Sequence, residues 1–232
     1  MFKKLVKILS LSCVFVMLGC AAQAPERKVN RIPVDVNVTV NEKGCTQEEG
    51  FIEGSKPEMT ALSYVDGGEG YVKIFSGLSV SDVTRLWNDL NIMLNHEIMN
   101  VNVFLNSGGG DAFTGIALAR YLDDFSNKGM VIRIYASGIV ASAAIPVLAV
   151  GDERHALPGT IFMVHEAALW KWPGRETASD IRSQNELMNL LRDSYMDILT
   201  AHTKTPRQAW EDMEGRTTWF DVKKAKDLGL VD

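Results

Sequence analysis

The 232-residue chain is 46% hydrophobic and 23% charged, ordinary globular values that exclude a disordered tail protein and a polytopic membrane protein. Its formal charge of −5 disfavours nucleic acid as a partner. One folded domain of common size is the default expectation.

At the amino terminus Lys3, Lys4 and Lys7 precede an apolar run from Ile8 to Leu18. The run is too short to span a bilayer as a permanent helix, and it reads as an export signal. It ends in Met17, Leu18, Gly19, Cys20, an order that resembles the lipobox of bacterial lipoproteins. That resemblance implies a diacylglyceryl group on the Cys20 thiol and Cys20 as the first mature residue. Two other readings stand beside it: secretion with cleavage after Ala24, which fits the small-residue pattern but is opposed by Pro25, and an uncleaved anchor. All three place the domain outside the cytoplasm, in the cell envelope. Without residues 1–19, which hold three lysines and no acids, the charge is 21 minus 29, or −8. Cys13 leaves with the signal, Cys20 is acylated, and Cys45 remains alone, so no intramolecular disulfide forms.

Residues 20–33 are polar, carry Pro25 and Pro33, and suit an extended tether. Residues 34–70 are read as an N-terminal extension. Val34, Val36, Val38 and Val40 alternate with polar residues and predict one strand. From Glu42 to Gly70 the chain is rich in Gly, Glu and Ser, which predicts loop with room for one more short strand.

The main domain is expected over 71–232. Strands are predicted at Tyr71 to Phe75, Val101 to Leu105, Val131 to Tyr135 and Ile161 to Val164, with helices at Val80 to Leu94, Ala112 to Phe125 and Ser142 to Val150. This alternation predicts an α/β domain of repeated βαβ units with a mostly parallel sheet. A long amphipathic helix is expected from Ala178 to His202, with Ile181, Met188, Leu191, Tyr195 and Ile198 on one stripe. Another is expected from Pro206 to Met213, with Thr205 as its cap, and a last one is capped by Asp221 and ended by Gly229.

Three segments carry candidate chemistry. Residues 105–112, LNSGGGDA, join a predicted strand to a predicted helix, and successive glycines bring amide hydrogens close to a bound group. By itself such a turn is also a packing solution, and it lacks the Lys and Ser/Thr of a P-loop and the spaced glycines of a dinucleotide fold. Ser142 lies among small apolar residues after a predicted strand, where a serine serves as cap, packing choice or nucleophile. His165 ends the apolar strand IFMV, placed to act as a base or to sit satisfied in the core. His96, His155 and His202 occupy polar or helical surroundings that suit surface or structural roles.

Taken together, these segments resemble the Clp peptidase family over roughly Tyr71 to Asp232. The family's NSPGG turn is matched by Asn106 to Gly110, and its GxAAS motif by Gly138 to Ser142. Its ALP followed by MIH is matched by Ala156 to Pro158 and Met163 to His165, and its AxxxGLVD ending by Ala225 and Gly229 to Asp232. The resemblance implies a fold of the ClpP/crotonase type with a handle-like long helix. It further implies Ser142 as nucleophile, His165 as base, and the amides of Gly109 and Ala143 as an oxyanion hole. No metal and no organic cofactor is required. The substrate would be peptide or unfolded protein. The resemblance also implies a homo-oligomer joined through the long helix, which the lipobox-like ending at Cys20 would hold on the membrane by a lipid anchor. An ATPase partner is not expected, because the exported side of the membrane has no supply of ATP.

The match departs from the family at its third catalytic position, where Thr217 stands in place of aspartate. A hydroxyl accepts a hydrogen bond from imidazole but gives no charge to stabilise imidazolium. Asp212, Glu214 and Asp221 are the nearby carboxylates that a rebuilt site would use, and a slow dyad or an inactive relative remain open. Gly108 replaces a proline and Ala144 a glycine. Trp170 and Trp172 suit either a peptide- or subunit-contacting surface or the packing of a projection. Beside the endopeptidase stand two other readings. One is a catalytically impaired, peptide- or partner-binding oligomer; the other is an acyl-CoA enzyme, whose crotonase scaffold shares the glycine-built oxyanion hole.

Overall fold

Strand β3 (Asn100–Ser107) and strand β4 (Val131–Ala141) form the centre of the sheet, paired in parallel from Asn100 opposite Val131 to Leu105 opposite Ala136. Val101, Val103 and Leu105 on β3 and Ile132 and Ile134 on β4 are wholly buried, each contributing roughly 1.5–3 kcal/mol through removal from water. The structure is a computed structural model that describes Met59 and residues 63–168 and 174–232. The expected signal and Cys20, the tether, the strand over 34–41, Cys45, Trp170 and Trp172 lie outside the described residues.

A hairpin of β1 (Ser63–Asp66) and β2 (Glu69–Ile74) is antiparallel, and β2 continues the sheet in parallel beside β3. Helix α1 (Val80–Asn95) joins β2 to β3, and α2 (Ala112–Asn127) joins β3 to β4. After β4 come α3 (Ala144–Ala149), β5 (Glu153–Ala156), β6 (Ile161–Val164), α4 (Ala178–His202), α5 (Arg207–Glu214), β7 (Thr218–Phe220) and α6 (Val222–Leu228). The sheet order is β1-β2-β3-β4-β6-β7, with β5 also against β4. The first half of β4 pairs with β5 and its second half with β6, both in parallel. The architecture is the expected α/β one with a mostly parallel sheet. On one side of the sheet Tyr64, Tyr71, Phe104, Tyr135 and His155 stack ring on ring across five strands, which gives His155 a structural role.

Several expectations need correction. Strand β4 runs past Tyr135 to Ala141, because the Ser137–Gly138 step makes a bulge instead of a turn. The register passes from Leu105 opposite Ala136 to Ser107 opposite Val140, and Gly138 takes φ 63°. Helix α3 begins at Ala144, after Ser142, which has φ 55° and cannot be helical. Pro206 caps α5 with extended backbone, while the Thr205 hydroxyl donates to the Leu228 carbonyl at 2.8 Å. Strands β5 and β7 are too short to show a period in the sequence. Helix α4 has the expected bounds, but its apolar stripe is buried only from Leu191 onward, and Ile181, Leu187 and Leu190 stay exposed. Among the described residues, no helix is long and apolar enough to cross a membrane.

Candidate active site

The bulge in β4 sets up the site. Opposite the looped-out Ser137 to Ile139 stands Asn106 alone, and its side-chain Oδ1 accepts the Ile139 amide at 3.1 Å. A β-carbon on Gly138 would lie 2.9 Å from that same Oδ1. The side chain of one strand therefore replaces a backbone rung of the other, and β4 is re-aimed just before Ser142.

Ser142 leaves β4 with φ 55°, a left-handed conformation that a non-glycine residue holds only when its surroundings over-determine it. Its amide donates to the Met163 carbonyl at 2.8 Å. Its carbonyl accepts the Ile145 amide at 3.0 Å and the Tyr195 hydroxyl at 3.2 Å. Burial, then the charge of Glu214, pushes the Tyr195 phenol far above its ordinary range, so it stays a neutral donor. Helix α2 approaches from behind, and Gly115 makes this possible. A β-carbon there would stand 2.2 Å from the Ala143 carbonyl oxygen.

His165 follows β6 directly, and its Nε2 lies 2.8 Å from Ser142 Oγ. For Nε2 to accept that hydroxyl proton, the imidazole must carry its own proton on Nδ1. Among the described residues, the hydrogen bond to Ser142 is the only one that His165 makes.

The glycine turn lies against the same serine. A β-carbon on Gly109, at φ 94°, would come within 2.7 Å of Ser142 Cβ and 3.0 Å of the Ala143 amide nitrogen. Only glycine allows that approach. The Gly109 amide donates to the Ser107 hydroxyl at 3.2 Å, and that hydroxyl in turn donates to the Ser76 carbonyl at 2.6 Å. Of the two expected oxyanion donors, Gly109 is thus already engaged with Ser107. The sequence pattern gave no signal for this engagement or for Tyr195.

Thr217 sits one step beyond the last registered pair of β6 and β7, Val164 opposite Thr218, so it occupies the position across from His165. It is exposed, with φ 50°, and makes no hydrogen bond to the imidazole. The carboxylates named as substitutes are committed elsewhere. Asp212 accepts from Gln208 and Asp221 caps α6 at the Lys224 amide. Buried Glu214 accepts from Arg192 Nε at 2.6 Å. Burial holds the Glu214 carboxyl above its ordinary value, against the lowering pull of Arg192, with Glu166 and Glu211 adding like charge. Arg192 is itself raised, chiefly by its hydrogen bond to Glu214. The pair therefore favours the half-exposed guanidinium without fully offsetting the burial of the carboxylate.

Comparison with known proteins places this geometry in context. The Clp protease family profile matches residues 72–232. The chain is 27% identical over 165 residues to an ATP-dependent Clp protease proteolytic subunit 2 of Thermobifida fusca, over 68% of this chain and 78% of that protein. It is also 27% identical over 197 residues to proteolytic subunit 1 of Streptomyces coelicolor, over 79% of this chain and 87% of that one. Among solved structures, a ClpP1 mutant from Listeria monocytogenes superposes with a TM-score of 0.61 at 20% identity, covering 69% of this chain and 88% of that chain. At that identity the likeness speaks to the fold.

Proposed function

The chain belongs to the Clp protease family, and from that membership we propose that it is a serine endopeptidase of the cell envelope acting on unfolded proteins or short peptides. One observation carries the reading: Ser142 Oγ lies 2.8 Å from His165 Nε2, beside a glycine turn in which Gly109 has no room for a β-carbon. In the reaction Ser142 Oγ bonds to the scissile carbonyl carbon while its proton passes to His165 Nε2. The negative charge that develops on the carbonyl oxygen is met by backbone amides, that of Ala143 first and that of Gly109 once released from Ser107. His165 then returns the proton to the departing amine, and water completes the cycle on the acyl-enzyme.

Envelope placement and lipidation at Cys20 rest on the signal-like sequence of residues 1–20. An exported enzyme has no ATP to draw on, so folded substrates should resist cleavage and no ATPase partner is required. A homo-oligomer is supported by family membership and by the exposed Ile181, Leu187 and Leu190 on the projecting half of α4.

A second reading is a catalytically impaired oligomeric lipoprotein that binds peptides or a protein partner. It rests on the Nδ1 side of His165, which meets no partner among the described residues, and on the engaged Gly109 amide. A fluorophosphonate probe separates the two. The peptidase reading requires labelling of purified protein lacking residues 1–20 that vanishes in Ser142→Ala and His165→Ala. No labelling with retained peptide binding supports the second reading. For the anchor, palmitate incorporation that survives Cys20→Ser would refute acylation at that residue.

A further inference from the structure

We propose that Tyr195 is a positioning residue for the oxyanion hole, acting through the peptide unit that joins Ser142 to Ala143. This rests on the peptidase reading above and deepens it. The Tyr195 hydroxyl donates to the Ser142 carbonyl oxygen at 3.2 Å, and that carbonyl and the Ala143 N–H belong to one rigid plane. In a trans peptide the two groups point in opposite directions, and no peptide bond among the described residues is cis. A donor that fixes the carbonyl end therefore fixes the direction in which the Ala143 amide points. It also polarises the unit, so that the N–H becomes a stronger donor to developing negative charge.

Three further observations give the contact weight. The peptide follows a serine at φ 55°, a conformation that relaxes when its restraints are removed. The other hydrogen bond on the same oxygen comes from Ile145, two residues into the short helix α3, and moves with the elbow it restrains. Tyr195 instead stands on the second half of α4, where Leu191, Met196, Ile198 and Leu199 are buried, so its hydroxyl is referenced to the core. Finally, the Gly109 amide is held by Ser107, whereas the Ala143 amide has no hydrogen-bond acceptor among the described residues. The buried phenol remains protonated at any working pH, so the restraint does not titrate with His165.

Tyr195→Phe keeps the packed ring and deletes the donor. Ser142–Ala143 is the one Ser-Ala step in the sequence. In protein labelled with carbonyl-13C serine and 15N alanine, this peptide alone gives a coupled signal, readable without turnover. We expect that signal to shift in Tyr195→Phe, with kcat on a peptide substrate falling roughly tenfold at unchanged KM. Peptide-aldehyde inhibitors, whose hemiacetal oxygen occupies the hole, should weaken by a similar factor, while the melting temperature stays close to that of the parent. An unmoved signal overturns the proposal whatever the activity. A moved signal with undiminished kcat overturns the catalytic consequence. If the parent protein neither labels nor cleaves, the peptidase reading fails instead, and the signal alone decides whether Tyr195 holds the peptide.

Discussion

The Asn106 side chain accepts the Ile139 amide at 3.1 Å, and this bond bridges the gap in the pairing between the strand that leads to the glycine turn and the strand that leads to Ser142. It stands in for the backbone rung lost where β4 bulges between Ala136 and Val140. Replacing Asn106 by Ala leaves a half-buried N–H without its acceptor, at a cost of about 1–2 kcal/mol. Asp at the same position keeps an acceptor oxygen and should cost less. Urea denaturation of the two variants measures the difference.

Thr217 predicts a gain of function. Asp fits its φ of 50° better than a β-branched residue does, and it would bring a charge opposite His165. We expect Thr217→Asp to raise turnover roughly a hundredfold, part of the ~10⁴ that such a carboxylate is worth in a well-studied triad. A carboxylate beside imidazole favours its protonated form, so the acidic limb of the pH–rate profile should move to higher pH. Thr217→Asn relieves the same backbone strain without charge, and should raise stability by up to about 1 kcal/mol with no gain in turnover.

Gly115 predicts a loss. The β-carbon of Ala at this position would meet the Ala143 carbonyl oxygen at 2.2 Å, so either α2 or the turn that carries Ser142 must move. The expected cost is about 3 kcal/mol, together with a drop in probe labelling larger than the unfolded fraction explains. Circular dichroism melting and labelling, read on the same sample, check this.

The Arg192–Glu214 pair predicts a pH dependence of stability. The Glu214 carboxyl is held above its ordinary value of 4.5, first by burial, so the folded chain binds this proton more tightly than the unfolded one. Its contribution is complete below pH 4.5 and is lost as pH rises through the raised folded value. Arg192→Ala removes the counter-charge from a carboxylate whose side chain is 5% exposed. Because Arg192 is itself 40% exposed, we expect a loss of about 2–3 kcal/mol, below that of a fully buried pair. The loss should be larger at pH 8 than at pH 5, where protonation relieves the stranded charge. Denaturant midpoints at the two pH values report it.

The alternation of strands and helices is legible in the amino-acid order, since long apolar periods and the caps at Asp221 and Gly229 act locally. The bounds Ala178–His202 of α4 and Ile161–Val164 of β6 were readable for that reason. So was the order of the Asn106, Ser142 and His165 segments, which resemble one family along the main domain. Relations between residues far apart in the chain emerge only on folding. Strands β5 and β7 exist because neighbours supply their partners. The bulge at Gly138 exists because Asn106 fills it. The Gly109 amide is engaged by Ser107, Tyr195 reaches the Ser142 carbonyl, and Thr217 stands exposed across from His165 without a hydrogen bond to its imidazole. A hydrogen bond depends on distance and direction set by packing, and residue identity supplies only the donor and the acceptor.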